Sequence, residues 1–267
     1  MGAGVSLFAY KGLIALIIAI VTLTVGFTSL HFIRRYQHLL SMGDALADGI
    51  FLGAAIFHLF PIAVQGLANE VGVLSFYIVI IVIILMACGF LLLFSLECSI
   101  ILREEKRQNT STKKTCTASA FMLTGILSIH AFITGATLGI SDMASTVSIL
   151  SIAILSHKGF ESFALMMGLH RSIRKEMKTK AILWAFTFVT PIGIIVAAFI
   201  ESFLQAQMAA VIISLFSAFA AGSFFYIGTL HGGHEHFHPP RGPLKRYQKI
   251  LATFFGIIAM GIVVIWT

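Results

Sequence analysis

Residues 72–96 read GVLSFYIVIIVIILMACGFLLLFSL, a run without one charged side chain. An α-helix needs roughly 20 such residues to cross the hydrocarbon of a bilayer, and in hydrocarbon a helix lets a single segment satisfy its own backbone polar groups. Working outward, comparable stretches lie near 12–32, 45–67, 117–140, 145–169, 181–203, 208–230 and 247–266, which makes about eight spans in all. Composition agrees. Hydrophobic residues are 58% of the chain and charged ones 11%, with a mean hydropathy of +0.97, outside the range of soluble domains. The expected fold is all-α, a polytopic membrane bundle of eight transmembrane helices forming one domain over residues 1–267.

The basic residues gather in four clusters: Arg34 and Arg35; Arg103 to Lys114; Arg171 to Lys180; and Arg241 to Lys249. These flank alternate loops, so the positive-inside rule puts loops 103–115 and 231–246 in the cytoplasm and both termini outside. Lys11 and Lys158 escape the pattern. The net charge of +7 is thereby an orientation signal, and nucleic acid is not an expected partner. The first apolar stretch lacks a basic leader and a small-residue cleavage site, and reads as a retained span. Cys88, Cys98 and Cys116 suggest no disulfide framework.

Residues 103–115 (REEKRQNTSTKKT) divide the spans three to five and read as a short flexible loop, whereas the connections at 68–71, 141–144 and 204–207 are tight enough to make neighbouring helices antiparallel. Gly49, Gly53, Gly125, Gly135 and Gly139 mark faces where helix backbones can approach closely. Pro61 and Pro191 each remove a helix hydrogen bond and predict kinks in spans two and six.

Two spans carry polar groups that lipid should exclude: Ser128-Ile129-His130-Ala131-Phe132-Ile133-Thr134-Gly135 and Ser156-His157-Lys158-Gly159-Phe160-Glu161. A polar group in hydrocarbon is costly unless it faces a partner, an ion or water. His157 and Glu161 are four residues apart and share a helix face; His130 falls at a similar depth on the preceding span. A single membrane histidine is usually explained by a hydrogen bond to a neighbouring helix, but this set predicts a metal site or a proton relay. Imidazole plus carboxylate suits Zn²⁺, and also Fe²⁺ or Mn²⁺, better than Mg²⁺ or Ca²⁺. Lys158 points about 100° away from His157 and can act as a fixed internal cation.

His130 with Gly135, His157-Lys158-x-x-Glu161, Gly49-x-Phe51-Leu52 followed by His58-x-x-Pro61, and Pro191-Ile192-Gly193, taken in this order, resemble the ZIP (ZRT/IRT-like) metal transporters over essentially the whole chain. The resemblance implies an eight-helix bundle that moves divalent metal from outside into the cytoplasm. It also implies a binuclear or mononuclear site between spans four and five. His130, His157 and Glu161 would be its ligands, with His58 on the path from the outer entrance. Three departures stand out. Ala131 and Thr134 occupy positions where family members commonly have polar or acidic residues, which leaves the main site one ligand short, with water or the Thr134 hydroxyl to fill it. Lys158 and Thr190 replace groups that would serve a second metal, and the Lys158 ammonium would stand in its place. Phe51 occupies a position where a soft ligand can occur.

After span seven, His231-Gly232-Gly233-His234-Glu235-His236-Phe237-His238 can gather a transition metal at the exit or serve as an ordinary polar loop. Asp44 and Asp48 either line the exit or cap a helix, and Glu97 and Glu201 are expected to be solvated near span ends. The leading function is secondary transport of divalent metal, most simply Zn²⁺, with Fe²⁺, Mn²⁺ or Cd²⁺ as alternatives and no prosthetic group. The competing readings are a metal-sensing or transport-inactive homologue and an intramembrane metal-dependent hydrolase. Against the hydrolase, no HExxH motif is present, and no base beyond Glu161 is in view. The expected partners are the lipid bilayer and metal ions, a homodimer staying open. The expected location is a cell membrane, plasma or bacterial inner, and the compact loops lean toward a bacterial one.

Overall fold

Each apolar run becomes a helix, and the computed structural model describes residues 2–36, 40–72, 76–105, 112–173, 175–200, 206–231 and 246–265. The helices are α1 (Gly2–Arg35), α2 (Leu40–Gly53), α3 (Phe60–Val71), α4 (Phe76–Glu105), α5 (Thr112–Ile140), α6 (Ala144–Ser172), α7 (Glu176–Ile200), α8 (Ala206–Tyr226) and α9 (Arg246–Ile265). Wider π-helical turns at Ala54–Leu59 and Ile227–His231 interrupt the second and seventh spans. Among the described residues there are eight helical stretches long and apolar enough to cross a membrane, and no strand.

Several boundaries differ from expectation because a helix continues past the hydrocarbon at no penalty. Span two starts at Leu40 and not near Ala45; α4 runs on to Glu105 and α5 starts at Thr112, so both ends of the expected 103–115 loop are helical backbone, residues 106–111 lying outside the described residues. The first turn begins at Gly72 and not at 68, because α3 continues to Val71. There Gly72 adopts φ 78°, and its N–H closes the helix on the Ala68 carbonyl. With successive spans antiparallel, one end of the bundle carries Gly72 and the 141–143 turn. The other carries the end of α1 at Arg35 and the start of α9 at Arg246, and is called the basic end below.

The helices sort into two groups by contact. In one, α5 packs along α7, and α1 lies against α6 and α7; in the other, α2 packs along α9, α4 along α8, and α3 against α8. Glycines explain these pairings. A Cβ on Gly135 would strike the Thr190 carbonyl and one on Gly193 the Phe132 carbonyl, so α5 and α7 touch backbone to backbone. Gly49 with Gly256 does the same for α2 and α9, and Gly89 with Gly222 for α4 and α8. In lipid, where no hydrophobic force drives helices together, such close approach supplies the van der Waals and dipole contacts that hold a pair.

The apolar cores follow that division at one end of the bundle only. Toward the basic end one core draws on both groups, with Leu127, Met166 and Phe186 from one and Phe51, Phe224 and Tyr226 from the other. Toward the opposite end each group keeps its own: Ile14, Ile18, Leu138, Val147 and Ile194 in the first, and Ala63, Ile78, Val82 and Ala218 in the second.

Candidate metal centre

Pro61 follows the π turn of span two, at the start of α3. It has no N–H to offer the preceding turn, and the backbone widens there, the Phe60 N–H reaching back five residues to the Ala55 carbonyl. The kink expected at Pro61 thus takes the form of a π turn, a feature frequent at functional positions. That turn carries His58. Its ring lies 4.5 Å from that of His157 and 6.3 Å from that of His130, centroid to centroid.

One nitrogen each of His58, His130 and His157 all fall within 4.8 Å of one another. Glu161 joins them from the next turn of α6. Its Oε1 is 3.2 Å from His130 Nε2 and 3.4 Å from His157 Nε2. His157 Nε2 is buried and makes no hydrogen bond, although Glu161 Oε1 stands 3.4 Å from it. A buried nitrogen lone pair without a donor is what a metal cation would satisfy. His130, His157 and Glu161 come from the first helix group and His58 from the second, so the cluster sits on the face between the groups.

Lys158 is fully enclosed at 1% exposure. Its Nζ donates to Glu161 Oε2 at 2.8 Å and to Thr190 Oγ1 at 2.9 Å, and lies 4.7 Å from the centre of the Phe186 ring. A buried ammonium is tolerable only with such partners. It also divides the labour of the carboxylate, Oε2 holding the lysine while Oε1 faces the histidines. Thr134 Oγ1 donates to the His130 carbonyl at 2.8 Å and stands 3.5 Å from His130 Nε2, at the edge of the cluster.

A cavity of about 360 Å³ starts at the three histidines and is lined farther on by Pro61, Gln65, Thr137 and Leu150. Each of these lies beyond its histidine in the direction of the 141–143 turn, away from the basic end. On the other side the way is shut: Phe224 stands 5.3 Å from the His130 ring, and Phe51 meets Phe224 edge to face at 5.5 Å.

Other expectations resolve differently. Phe51 belongs to that aromatic pair and not to the cluster. Asp44 and Asp48 lie inside α2, which starts at Leu40, so neither caps it. Asp48 is buried ten positions before His58 and apart from the cluster. His231 ends the second π turn, whereas His234, His236, His238 and Glu201 lie outside the described residues. Glu97 overturns the expectation of a solvated carboxylate: it is buried and accepts a hydrogen bond from Tyr226, whose ring packs against Phe90 and Phe94. Lys11, an exception to the charge pattern, is buried and donates to the Gly139 carbonyl at 2.7 Å. That carbonyl belongs to the last turn of α5, where the helix dipole favours a cation.

Comparison with known proteins adds an independent line. The family model described as ZIP Zinc transporter matches residues 101–264. The chain is 26% identical to zinc transporter 11 of Arabidopsis thaliana, over 98% of this chain and 86% of that protein. It is 32% identical to zinc transporter ZIP1 of Takifugu rubripes over 53% of this chain and 45% of that protein. With zinc transporter ZIP1 of Danio rerio the identity is 24%, over 86% of this chain and 85% of that protein.

Proposed function

The chain belongs to the ZIP zinc transporter family, and on that premise we propose that it imports Zn²⁺ into the cytoplasm through the cluster of His58, His130, His157 and Glu161. Metal transport across a membrane follows from the family.

The observation that carries it is the convergence of three imidazole nitrogens within 4.8 Å, with Glu161 Oε1 beside two of them. Three nitrogens and one oxygen suit tetrahedral Zn²⁺. Such a donor set also disfavours Mn²⁺, which prefers more oxygen, and gives the larger, softer Cd²⁺ no thiolate. His58 thereby fills the position that the sequence left to water or Thr134. Lys158 occupies the other side of Glu161, so the site takes one ion and not two. The cavity away from the basic end is the entrance, and with that end in the cytoplasm the ion enters from outside. Release requires the shared core to part, one helix group moving against the other in alternating access. Among the described residues no carboxylate lines the cavity, and Glu161, next to the histidines, is engaged on both oxygens, which counts against a hydrolase.

The test is uptake of radiolabelled Zn²⁺ into proteoliposomes, with Fe²⁺, Mn²⁺ and Cd²⁺ as competitors. Wild-type protein should give saturable flux that falls to the level of empty vesicles in the His157→Ala/Glu161→Ala variant. Flux that survives the double substitution would sink the site assignment; zinc binding without flux would turn the reading to a metal sensor.

A further inference from the structure

A second, larger hollow of about 980 Å³ lies on the flank of the bundle in the half nearer the basic end. Its walls are α1 from Thr24 to Phe32, α2 around Met42 and Leu46, and α9 from Gln248 to Phe255, with Phe163 of α6 at the floor. The hydroxyls that line it are spent on their own helix: Thr24 donates to the Ile20 carbonyl, Thr28 to Thr24 and Ser29 to Val25. The lining surface is predominantly apolar. Phe32, Met42, Leu251 and Phe255 remain exposed there. In a membrane span the surrounding solvent is lipid, so this apolar surface meets acyl chains.

One end of the groove is charged. The Phe32 ring packs tilted against Tyr36, centroids 4.9 Å apart, and the Arg35 guanidinium lies 5.8 Å from the Tyr36 ring centre, one turn beyond the wall. Arg35 is exposed, and Lys249 adjoins the wall residue Gln248. Basic residues at the mouth of an apolar cleft between spans match the phosphate and the chain of an anionic lipid.

We propose that this groove seats one acyl chain of an anionic phospholipid from the leaflet at the basic end, its phosphate held by Arg35. A chain lodged there touches α1 and α6 of one helix group and α2 and α9 of the other. It therefore fills a seam whose width depends on how the two groups sit, and it works independently of which metal the cluster carries.

The experiment is native mass spectrometry of the purified full chain equilibrated with equal amounts of phosphatidylglycerol and phosphatidylcholine. One phosphatidylglycerol should be retained over phosphatidylcholine by about fivefold, the factor that one arginine near the lipid surface supplies. Arg35→Gln should erase that preference while chain binding persists. Thr28→Trp, which fills the groove from its wall, should remove the retained lipid; Leu46→Trp repeats the test from α2 if the first variant does not fold. Equal retention of the two lipids by wild-type protein, an unchanged preference in Arg35→Gln, or unchanged retention in a folded groove-filled variant would each overturn the proposal.

Discussion

In the half of the molecule nearer the basic end, Leu127 and Met166 pack with Phe51 and Phe224 in a core that both helix groups share. In the other half Ile18 and Leu138 belong to one core, Val82 and Ala218 to a second, and the histidine cavity lies between. The seams differ in kind as well. Every described glycine whose added Cβ would strike a neighbouring helix's backbone has that neighbour in its own group. Between groups the contact at a glycine is with a side chain, Gly43 against the end of Met167. Rigid seams within groups and adaptable ones between them are what a molecule needs if its groups are to shift as bodies while each keeps its shape.

Forcing a rigid seam open has the largest effect expected here. Gly135→Val drives two methyl groups into the Thr190 backbone and should cost about 3 kcal/mol, the upper part of the range for overpacking. Denaturant unfolding in detergent measures it, and a near-neutral result would mean that α5 and α7 are not locked together.

Loosening the shared core comes next. Phe224→Ala leaves a cavity on the face between the groups, at about 2 kcal/mol, below the usual cost because transfer of apolar surface between core and lipid contributes little. Its signature is conformational: in a background without native cysteines, a thiol introduced by Ile50→Cys should react faster with a water-soluble reagent. An unchanged labelling rate would show that the aromatic pair does not close the basic side.

Smallest of all, Gly159→Ala should change stability by no more than about 0.5 kcal/mol, since the nearest atom to its new methyl is the Val25 side chain at 3.6 Å. Gly43→Ala is expected to cost only slightly more, because the flexible end of Met167 can move aside. A penalty at Gly43 as large as that at Gly135 would erase the distinction between the two kinds of seam.

The spans were legible in the sequence because uninterrupted apolar runs leave a helix no competitor in lipid. Their sorting into two groups was not, because it rests on glycines paired with carbonyls far along the chain, Gly49 with Thr253 for example. His157 and Glu161 were readable as one face because they sit on a regular helix. His58 was readable only as a path residue, since regular periodicity does not foresee the π turn that presents it. The partner of Lys158 across α7, Thr190, was noticed in the sequence only as a departure from the family pattern, and their hydrogen bond depends on tertiary packing. Glu97 was misread because its place near a span end suggested water, while Tyr226, which buries it, comes from a span 129 residues away.

The enclosed Lys158 has an electrical consequence. On the proposed reading, with the carboxylate of Glu161 already matched by the ammonium beside it and imidazoles neutral as ligands must be, an arriving Zn²⁺ would find no countercharge and the loaded centre would carry the full double charge of its cargo. Each elementary charge crossing the whole membrane field is worth about 2.3 kcal/mol per 100 mV. A potential negative on the cytoplasmic side would then pull the proposed filled carrier inward and leave the empty one indifferent to voltage.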